Sequence, residues 1–574
     1  MNDTTPTPVP TPAAGRVPAP PIPEAGAPHS ASPIPEAGPR PGLRPGTVGS
    51  PGTGSGPPRL GSFLARAAAV TASLTVAGSL LGLVRDQAIA QIFGASVDSD
   101  AFLIAWTVPE MASTLLIEDA MALLLVPAFS HALARRAEGS ARDEVRDLVS
   151  ATFPRLFALL ACGAGLLVLG APLVVRILAP GFADPQLAVD CTRLTAVTVL
   201  TFGIAGYFSA ALRAHGRFLP PAGVYVAYNV GIIATTLVLH SLWGVRAAAA
   251  GVAVGGLLMV LAQLPTFVRQ VTRVRPRRMN RRAERRPTPL LGAAVLAPVI
   301  LFTISRQSQV LVERFLASSL PGGAISHLNY AQKVAQMPMV LSLMICTVTF
   351  PVVAQAMADG DRERARRRVE HDLALAGTVV LLGTALVLGY APQIIEVLFE
   401  RGAFDAQDTE TTATVMRVYA TGLLGHSLVG ALGRPFFSSG RPTWYPAAAM
   451  AAGLVVTTTA GAAAVGTWGV YGIAAGNAAG ISTTAVLLLS GLGSRIVSIQ
   501  VRSISVALGR LALAAAVAAA AGVLAGPLVA DPLLSTAVGV LLVPACFVLT
   551  ALALRAPEVI HLLALTKQRF RHVR

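Results

Sequence analysis

Apolar stretches of membrane-spanning length follow one another along most of this chain, separated by short polar segments. About 20 consecutive apolar residues form a helix long enough to cross the hydrocarbon core of a bilayer. The pattern therefore predicts an all-α polytopic membrane protein with about fourteen transmembrane helices. The predicted spans cover residues 63–93, 101–131, 151–176, 192–212, 221–241, 246–268, 289–317, 325–356, 372–391, 410–433, 443–465, 469–491, 504–529 and 533–554.

Basic residues concentrate in every second loop between these spans. The loop after the sixth span holds nine arginines between Arg269 and Arg286, and the loop after the eighth holds five between Arg362 and Arg368. The odd-numbered loops are nearly devoid of basic residues, with Arg246 and Arg401 as the exceptions. Because basic loops stay in the cytoplasm, the even-numbered loops and both termini are predicted to be cytoplasmic.

An internal repeat relates the first six spans to the next six. Arg85 and Pro109 are 24 residues apart, and so are Arg314 and Pro338. Further matches, each 224 residues apart, pair Pro127 with Pro351 and Gly216 with Gly440. Two six-helix units in the same orientation, with a substrate path between them, are typical of secondary transporters.

The repeat and the composition together predict the domain organisation. The plan is a Pro/Gly/Ala-rich tail at 1–60, an N-lobe of spans 1–6 at 61–270, a basic linker at 271–288, a C-lobe of spans 7–12 at 289–492, spans 13 and 14 at 493–554, and a basic tail at 555–574. Residues 1–60 contain 17 of the 41 prolines and few large apolar residues. Such a segment buries too little surface to offset its ordering entropy, so we expect it to be disordered.

The composition and the motifs argue against several classes of protein. Only 13% of the residues are charged and 53% are hydrophobic, which is typical of a membrane protein. The net charge of +16 comes from arginines in short loops, so it does not indicate nucleic-acid binding. The chain contains no GxxxxGK[ST] loop, no zinc-ligand spacing and no CxxC pair, and no metal, cofactor or enzymatic site is predicted.

Charged residues inside the apolar spans are the candidate functional residues. An ionised group there costs at least about 2.5 kcal/mol, so it faces a cavity or a partner. The set comprises Arg85, Asp86, Asp100, Glu110, Glu118, Arg306, Glu313, Arg314 and Lys333. All of them fall in the first two spans of a repeat, and they fit either a central cavity or structural ion pairs and snorkelling side chains.

Three further patterns sharpen this set. Gly78 and Gly82 form a small-xxx-small pair that permits close helix approach. Asp100 and Glu118 are five turns apart, so on a regular helix they share one face. Lys333 is one of only two lysines in an arginine-rich chain, which favours a functional role.

At these residues the chain resembles the MurJ/MviN family of lipid II flippases, from about residue 63 to 490. The matching motifs are Leu81-Gly-Leu-Val-Arg-Asp86, Ile92-Phe-Gly-Ala95, Ser99-Asp-Ala-Phe102, Pro109, Glu118, Val126-Pro127, Ala179-Pro-Gly-Phe182, Glu313-Arg314, Ser326, Leu328-Asn-Tyr-Ala331 and Leu398-Phe-Glu-Arg-Gly-Ala-Phe404. The resemblance implies a bacterial inner-membrane protein with the fold of the MOP superfamily, with two lobes around a cationic cavity and alternating access. It also implies that a diphosphate-linked headgroup passes through the cavity while its polyprenyl tail lies along spans 13 and 14.

The resemblance assigns the cavity residues only in part. Arg85 matches a family cavity arginine, and Lys333 stands where the family usually has arginine. Ser79 and Ser113 occupy the positions of two other cavity arginines. Glu110 and Gln332 also depart from the commoner residues. The expected substrate-binding set is Arg85, Lys333, Arg306, Arg314, Asp100, Ser79 and Ser113, and the expected structural or gating set is Asp86, Glu118, Glu313, Gly78 and Gly82.

Three functions remain compatible with the sequence. The first is transport of lipid II, the lipid-linked peptidoglycan precursor needed for cell-wall biogenesis and cell shape, from the inner to the outer leaflet. The second is transport of another polyprenyl-diphosphate glycan or envelope lipid by a family paralogue. The third is a non-transporting scaffold that docks other cell-envelope synthesis proteins on its tail and basic loops.

Overall fold

The computed structural model describes residues 60–137, 143–272, 293–343, 355, 359, 361–438, 443–495 and 500–556. At a few of these positions, Glu118 among them, it describes the backbone only. The predicted tails and most of the predicted linker at 271–288 lie outside the described residues.

Every regular element in these ranges is helical. In chain order the helices are α1 Leu60–Phe93, α2 Val97–Ser113, α3 Ala120–Ala137, α4 Glu144–Leu178, α5 Pro185–Ala196, α6 Thr198–Ala214, α7 Leu219–Ala222, α8 Val224–Trp243, α9 Arg246–Thr272, α10 Ala293–Ala317, α11 Ala324–Ala335, α12 at 337–343, α13 Arg362–Phe399, α14 Ala406–Ala420, α15 Leu423–Ser438, α16 Tyr445–Trp468, α17 Val470–Arg495, α18 Val501–Ala525 and α19 Pro532–Ala553. A π-helical turn, Thr114–Asp119, joins α2 to α3, and a 3₁₀ turn, Gly526–Leu528, follows α18. The all-α prediction is confirmed.

Each of the fourteen predicted spans overlaps at least one of these helices. Nine helical stretches of the described chain are long and apolar enough to cross a membrane, and the bent pair α14–α15 makes ten. The four predicted spans outside this group are spans 1, 2, 7 and 8, which carry the candidate charged residues. Each of these four spans includes residues whose structure or side chains are not described, and the count of fourteen is consistent with the structure.

Several predicted spans are interrupted where a single continuous helix was expected. Span 4 breaks at Val197, between α5 and α6. Span 2 contains Pro109 and then the π-helical turn Thr114–Asp119. Span 8 breaks at Gln336, because Pro338 has no N–H with which to continue the helix. Span 10 bends by 46° between α14 and α15. The expectation that Asp100 and Glu118 share one face assumed a regular helix, and the π-helical turn between them changes the register.

The two sequence repeats pack their helices in the same way. We call residues 60–272 the N-half and residues 293–495 the C-half. In the N-half α8 packs on α9, α1 on α8, and α2 on α5; in the C-half the equivalent pairs are α16 on α17, α10 on α16, and α11 on α14. Equivalent pairs therefore pack together in both halves.

Helices α18 and α19 stand outside this repeat and pack on α13. The contact is close because glycines face it: a Cβ on Gly522 would lie 3.1 Å from the Cα of Gly389. Tyr390, where α13 is kinked, fills the space beside Gly539. Small residues at such contacts allow backbones to approach, as is common in membrane helix pairs.

Candidate functional site

A buried cluster of charges joins α1 of the N-half to α11 of the C-half. Asp86 Oδ1 accepts hydrogen bonds from Arg85 Nε and Nη2 at 3.0 and 2.8 Å. The other oxygen, Asp86 Oδ2, lies 3.2 Å from Lys333 Nζ. The Trp106 ring lies against both cations, with its centroid 4.2 Å from Arg85 Cζ and 4.3 Å from Lys333 Nζ. One carboxylate and one aromatic ring therefore hold two cations together.

Helix α8 fixes the position of Arg85. Asn229 accepts a hydrogen bond from Arg85 Nη1 at 3.1 Å and donates to the carbonyls of Gly78 and Tyr225. A Cβ on Gly78 would lie 3.0 Å from Tyr225 Cβ, and one on Gly82 would lie 3.7 Å from Asn229 Nδ2. The small residues at 78 and 82 thus bring α8 close enough to reach the arginine.

A second polar network lies on the C-half. Arg314 donates to the carbonyl of Ile325 and to Asn329 Oδ1, both at 3.1 Å. Its neighbour Glu313 accepts a hydrogen bond of 2.6 Å from Asn477 Nδ2, which ties α10 to α17. Glu313 and Arg314 are 2% and 3% exposed, so both charges are withdrawn from solvent and depend on these partners.

A cavity of about 230 Å³ opens between α2 on one side and α10, α11 and α15 on the other. Three cations line it: Arg306, Arg314 and Lys333. The remaining lining residues are Thr107, Glu110, Met111, Thr114, Gln307, Gln309, Val310, Asn329, Gln332, Gln336 and His426. Cations and amide groups in an enclosed space are suited to binding an oxyanion.

Besides Lys333, whose Nζ is ion-paired with Asp86, three of the lining residues carry buried N–H donors that have no hydrogen-bond partner among the described residues. They are Gln309 Nε2, Arg314 Nε and Asn329 Nδ2. A buried donor without an acceptor costs about 1–3 kcal/mol, so such groups call for a ligand or an ordered water. All three belong to the C-half, where an entering anion would satisfy them.

The two halves are held together at one end of the molecule by Asp100. Its carboxylate accepts from the backbone N–H of Gly323 at 2.8 Å and of Ser326 at 2.7 Å, and from the Ser326 hydroxyl at 2.6 Å. Gly323 precedes α11 and has no side chain to cap it, so Asp100 supplies the cap from the opposite half. Ser99 Oγ adds a contact of 2.8 Å to Ser326 Oγ.

Backbone contacts around Asp100 complete this connection, which we call the junction (residues 87–100 against 318–327 and 398–408). Ala403 N donates to Gln91 O at 2.9 Å, and Ala95 N donates to Asp408 Oδ2 at 3.2 Å. Gly402 has a φ of +64° and no room for a Cβ beside the Gln91 carbonyl, so it permits this approach. The cavity is therefore closed off from the junction end.

Residues 89–539 of the chain match the protein family described as Lipid II flippase MurJ. The chain belongs to the MurJ family. The lipid II flippase MurJ of Burkholderia cenocepacia is 29% identical over 383 residues, which is 65% of this chain and 73% of that protein. The probable lipid II flippase MurJ of Vibrio cholerae is 26% identical over 473 residues, 79% of this chain and 87% of that protein.

Solved structures show the same fold. One described as lipid II flippase MurJ in an inward closed conformation superposes with a TM-score of 0.67 at 17% identity, covering 85% of this chain and 99% of that one. An inward-facing MATE multidrug transporter of the MOP superfamily superposes with a TM-score of 0.58 at 14% identity, covering 76% and 99%. The expected resemblance to the MurJ family and the MOP-type fold are confirmed, and the chain is a multi-pass membrane protein.

The residues expected to bind the substrate of a MurJ-family protein lie in several different places in the structure. Lys333, Arg306 and Arg314 line the cavity, whereas Arg85 lies beside it in the cluster with Asp86. Asp100 lies at the junction, with its oxygens satisfied by α11. Ser79 and Ser113 are not among the described residues that line the cavity, and the exposed Ser79 hydroxyl donates to Thr75 O within its own helix. The side chain of Glu118, expected to have a gating role, lies outside the described part of the structure.

Several residues of this MurJ-family site carry no signal in the sequence. Trp106 and Asn229 lie within apolar spans, where one aromatic ring or one amide is indistinguishable from ordinary helix packing. Gln309 gains its interest only from a donor without a partner among the described residues, whereas Asn329 already lies in the family-like motif Leu328-Asn-Tyr-Ala331. The buried charged side chains can be predicted from the sequence, but the neutral side chains that orient them cannot.

Proposed function

We propose that this MurJ-family protein moves lipid II, a lipid with a diphosphate-linked headgroup, from the inner to the outer leaflet by alternating access. The observation that carries the proposal is the cavity between the halves, where three cations converge with three N–H donors that have no partner in the described part of the chain. Fork-shaped arginine donors and a lysine point charge suit a diphosphate. The family membership supplies lipid II as the substrate.

Lys333 is the residue through which we expect binding and movement to be linked. When the junction is closed, Lys333 is paired with Asp86 of the N-half. A diphosphate in the cavity would compete with Asp86 for Lys333 and weaken this bridge between the halves. Arg85 then has a positioning role, since it orients Asp86 and thereby Lys333.

The orientation of the protein follows from the loop charges and is part of the same proposal. If the even-numbered loops are cytoplasmic, the junction lies on the outer side and the cavity opens inwards. The lobes at 61–270 and 289–492 would then rock about the cavity, and the polyprenyl tail would lie along α18 and α19.

The test is rescue of a bacterial cell depleted of its own lipid II flippase. We expect the wild type to restore growth, Lys333→Arg to retain most of this activity, and Lys333→Ala to lose it. Truncating one partner of a buried charged contact costs about 2–5 kcal/mol. Arg155→Ala, which removes an exposed arginine of α4, is the matched control and should rescue fully.

Transport is measured as the fraction of lipid II that an externally added diphosphate-cleaving enzyme can reach. Full activity of Lys333→Ala at normal protein level would refute the cationic-cavity mechanism. Failure of the correctly inserted wild type would refute lipid II as the substrate.

A further inference from the structure

The cavity is electrically asymmetric. Its cations, Arg306, Arg314 and Lys333, all belong to α10 and α11 of the C-half. The wall contributed by the N-half consists of Thr107, Glu110, Met111 and Thr114, so it carries a carboxylate and no cation among the described lining residues. Opposite charges therefore face one another across the space that the substrate would enter.

Glu110 is the carboxylate on this wall, and it lines the same cavity as Lys333. Its side chain is half-buried and makes no hydrogen bond or ion pair with another described residue. Asp86, rather than Glu110, is the carboxylate that directly contacts Arg85 and Lys333. A carboxylate in a cavity that binds anions would only weaken binding, unless part of the ligand is cationic.

We propose that Glu110 is a specificity-determining residue that binds an ammonium group of the substrate headgroup. The inference rests on the proposed function and specifies the substrate further: a polyprenyl-diphosphate lipid whose headgroup carries a free primary amine. The diphosphate would lie on the C-half wall, at Lys333 and Arg314, and the amine would lie on the α2 wall. The hydroxyls of Thr107 and Thr114 line the same wall and offer acceptor oxygens for the remaining ammonium hydrogens.

The experiment compares two probes that differ only in one amine. Full-length protein in lipid nanodiscs is titrated with an undecaprenyl-diphosphate glycopeptide that has a free side-chain amine, and with the same lipid after N-acetylation of that amine. We expect the wild type to bind the free amine at least about tenfold more tightly, as expected when a charged pair in a cavity loses one member. Glu110→Gln should bind the two probes with equal affinity.

Glu410→Gln is the matched control, because Glu410 is exposed on α14 and does not line the cavity. This variant should keep the preference of the wild type. Equal binding of both probes by the wild type, or an unchanged preference in Glu110→Gln, would overturn the inference and leave the proposed function standing. Tighter binding of both probes by the same factor in Glu110→Gln would show that Glu110 merely offsets the cations. Binding of neither probe by the folded wild type would refute the proposed function itself.

Discussion

Asp86 and Asp190 each contact two cations, and the two carboxylates differ in burial. Asp86 contacts Arg85 and Lys333 with side chains 6% to 24% exposed. Asp190 contacts Arg193 and Arg246 with side chains 30% to 47% exposed. Removing one partner of a buried pair leaves an uncompensated charge in a medium that solvates it poorly. At an exposed pair, water solvates the charge that remains. Removing the carboxylate is therefore expected to lower the free energy of unfolding more at Asp86 than at Asp190.

We expect Asp86→Ala to destabilise the detergent-solubilised protein by about 3–5 kcal/mol, because it leaves Arg85 and Lys333 without their shared anion. Asp190→Ala is the matched control and should cost at most about 1 kcal/mol. Thermal unfolding followed by tryptophan fluorescence measures both, since Trp106 lies against the two cations. Equal melting temperatures for the two variants would show that the Asp86 cluster does not stabilise the fold.

At the scale of the helix, the start of α11 shows how one half depends on the other. Gly323 has a φ of +94° and offers no side chain, so the first N–H groups of α11 are satisfied by Asp100 of α2. The positive end of the helix dipole also favours a carboxylate there. When the junction closes, Asp100 therefore completes the cap of α11. When the junction opens, these hydrogen bonds must break.

We expect Asp100→Asn to shift the protein towards a state with the junction open. An amide replaces a carboxylate that accepts several hydrogen bonds, and loss of such charged contacts costs about 2–5 kcal/mol. Every 1.4 kcal/mol changes the closed-to-open ratio about tenfold. Spin labels on Ala183 and Ala406, one exposed position in each half, should report longer distances in this variant.

Asp98→Asn serves as the control for this measurement, because Asp98 is exposed and lies two residues from Asp100 on the same helix. Its distance distribution should match that of the wild type. If Asp100→Asn also matches the wild type, the cap at α11 does not contribute to closure.

These helices also show what the sequence could and could not predict. Apolar length placed each predicted span on at least one helix of the described chain, because burial in lipid requires about 20 apolar residues whatever the tertiary fold. The repeat marked Pro109 and Pro338, and the structure shows an irregular helix shortly after the first and just before the second. The sequence did not predict that Asp100 caps α11 rather than lining the cavity, because that depends on the backbone N–H groups of a segment more than 200 residues away.

At the scale of the whole molecule, the two halves are repeats of one another, but the two ends of the helices differ. The junction holds the halves together near residues 87–100, 318–327 and 398–408, which belong to odd-numbered loops and the helix ends beside them. Most of the basic loop residues lie in the even-numbered loops, at the opposite end of the predicted spans, and Arg401 at the junction is an exception. A protein with this closure is expected to admit its substrate from the basic side, so the membrane orientation decides the direction in which the headgroup is taken up.

Orientation is tested by single cysteines in a variant whose four native cysteines are replaced by serine. We expect Ala183→Cys and Ala406→Cys to react with a membrane-impermeant thiol reagent in intact cells, because both positions are exposed in odd-numbered loops or at their edges. Arg217→Cys, exposed in the even-numbered loop between α6 and α7, should react only after the membrane is permeabilised. Labelling of position 217 in intact cells, with protection of 183 and 406, would reverse the orientation. The junction would then face the cytoplasm, and a flippase of this fold would have to load its substrate from the outer leaflet.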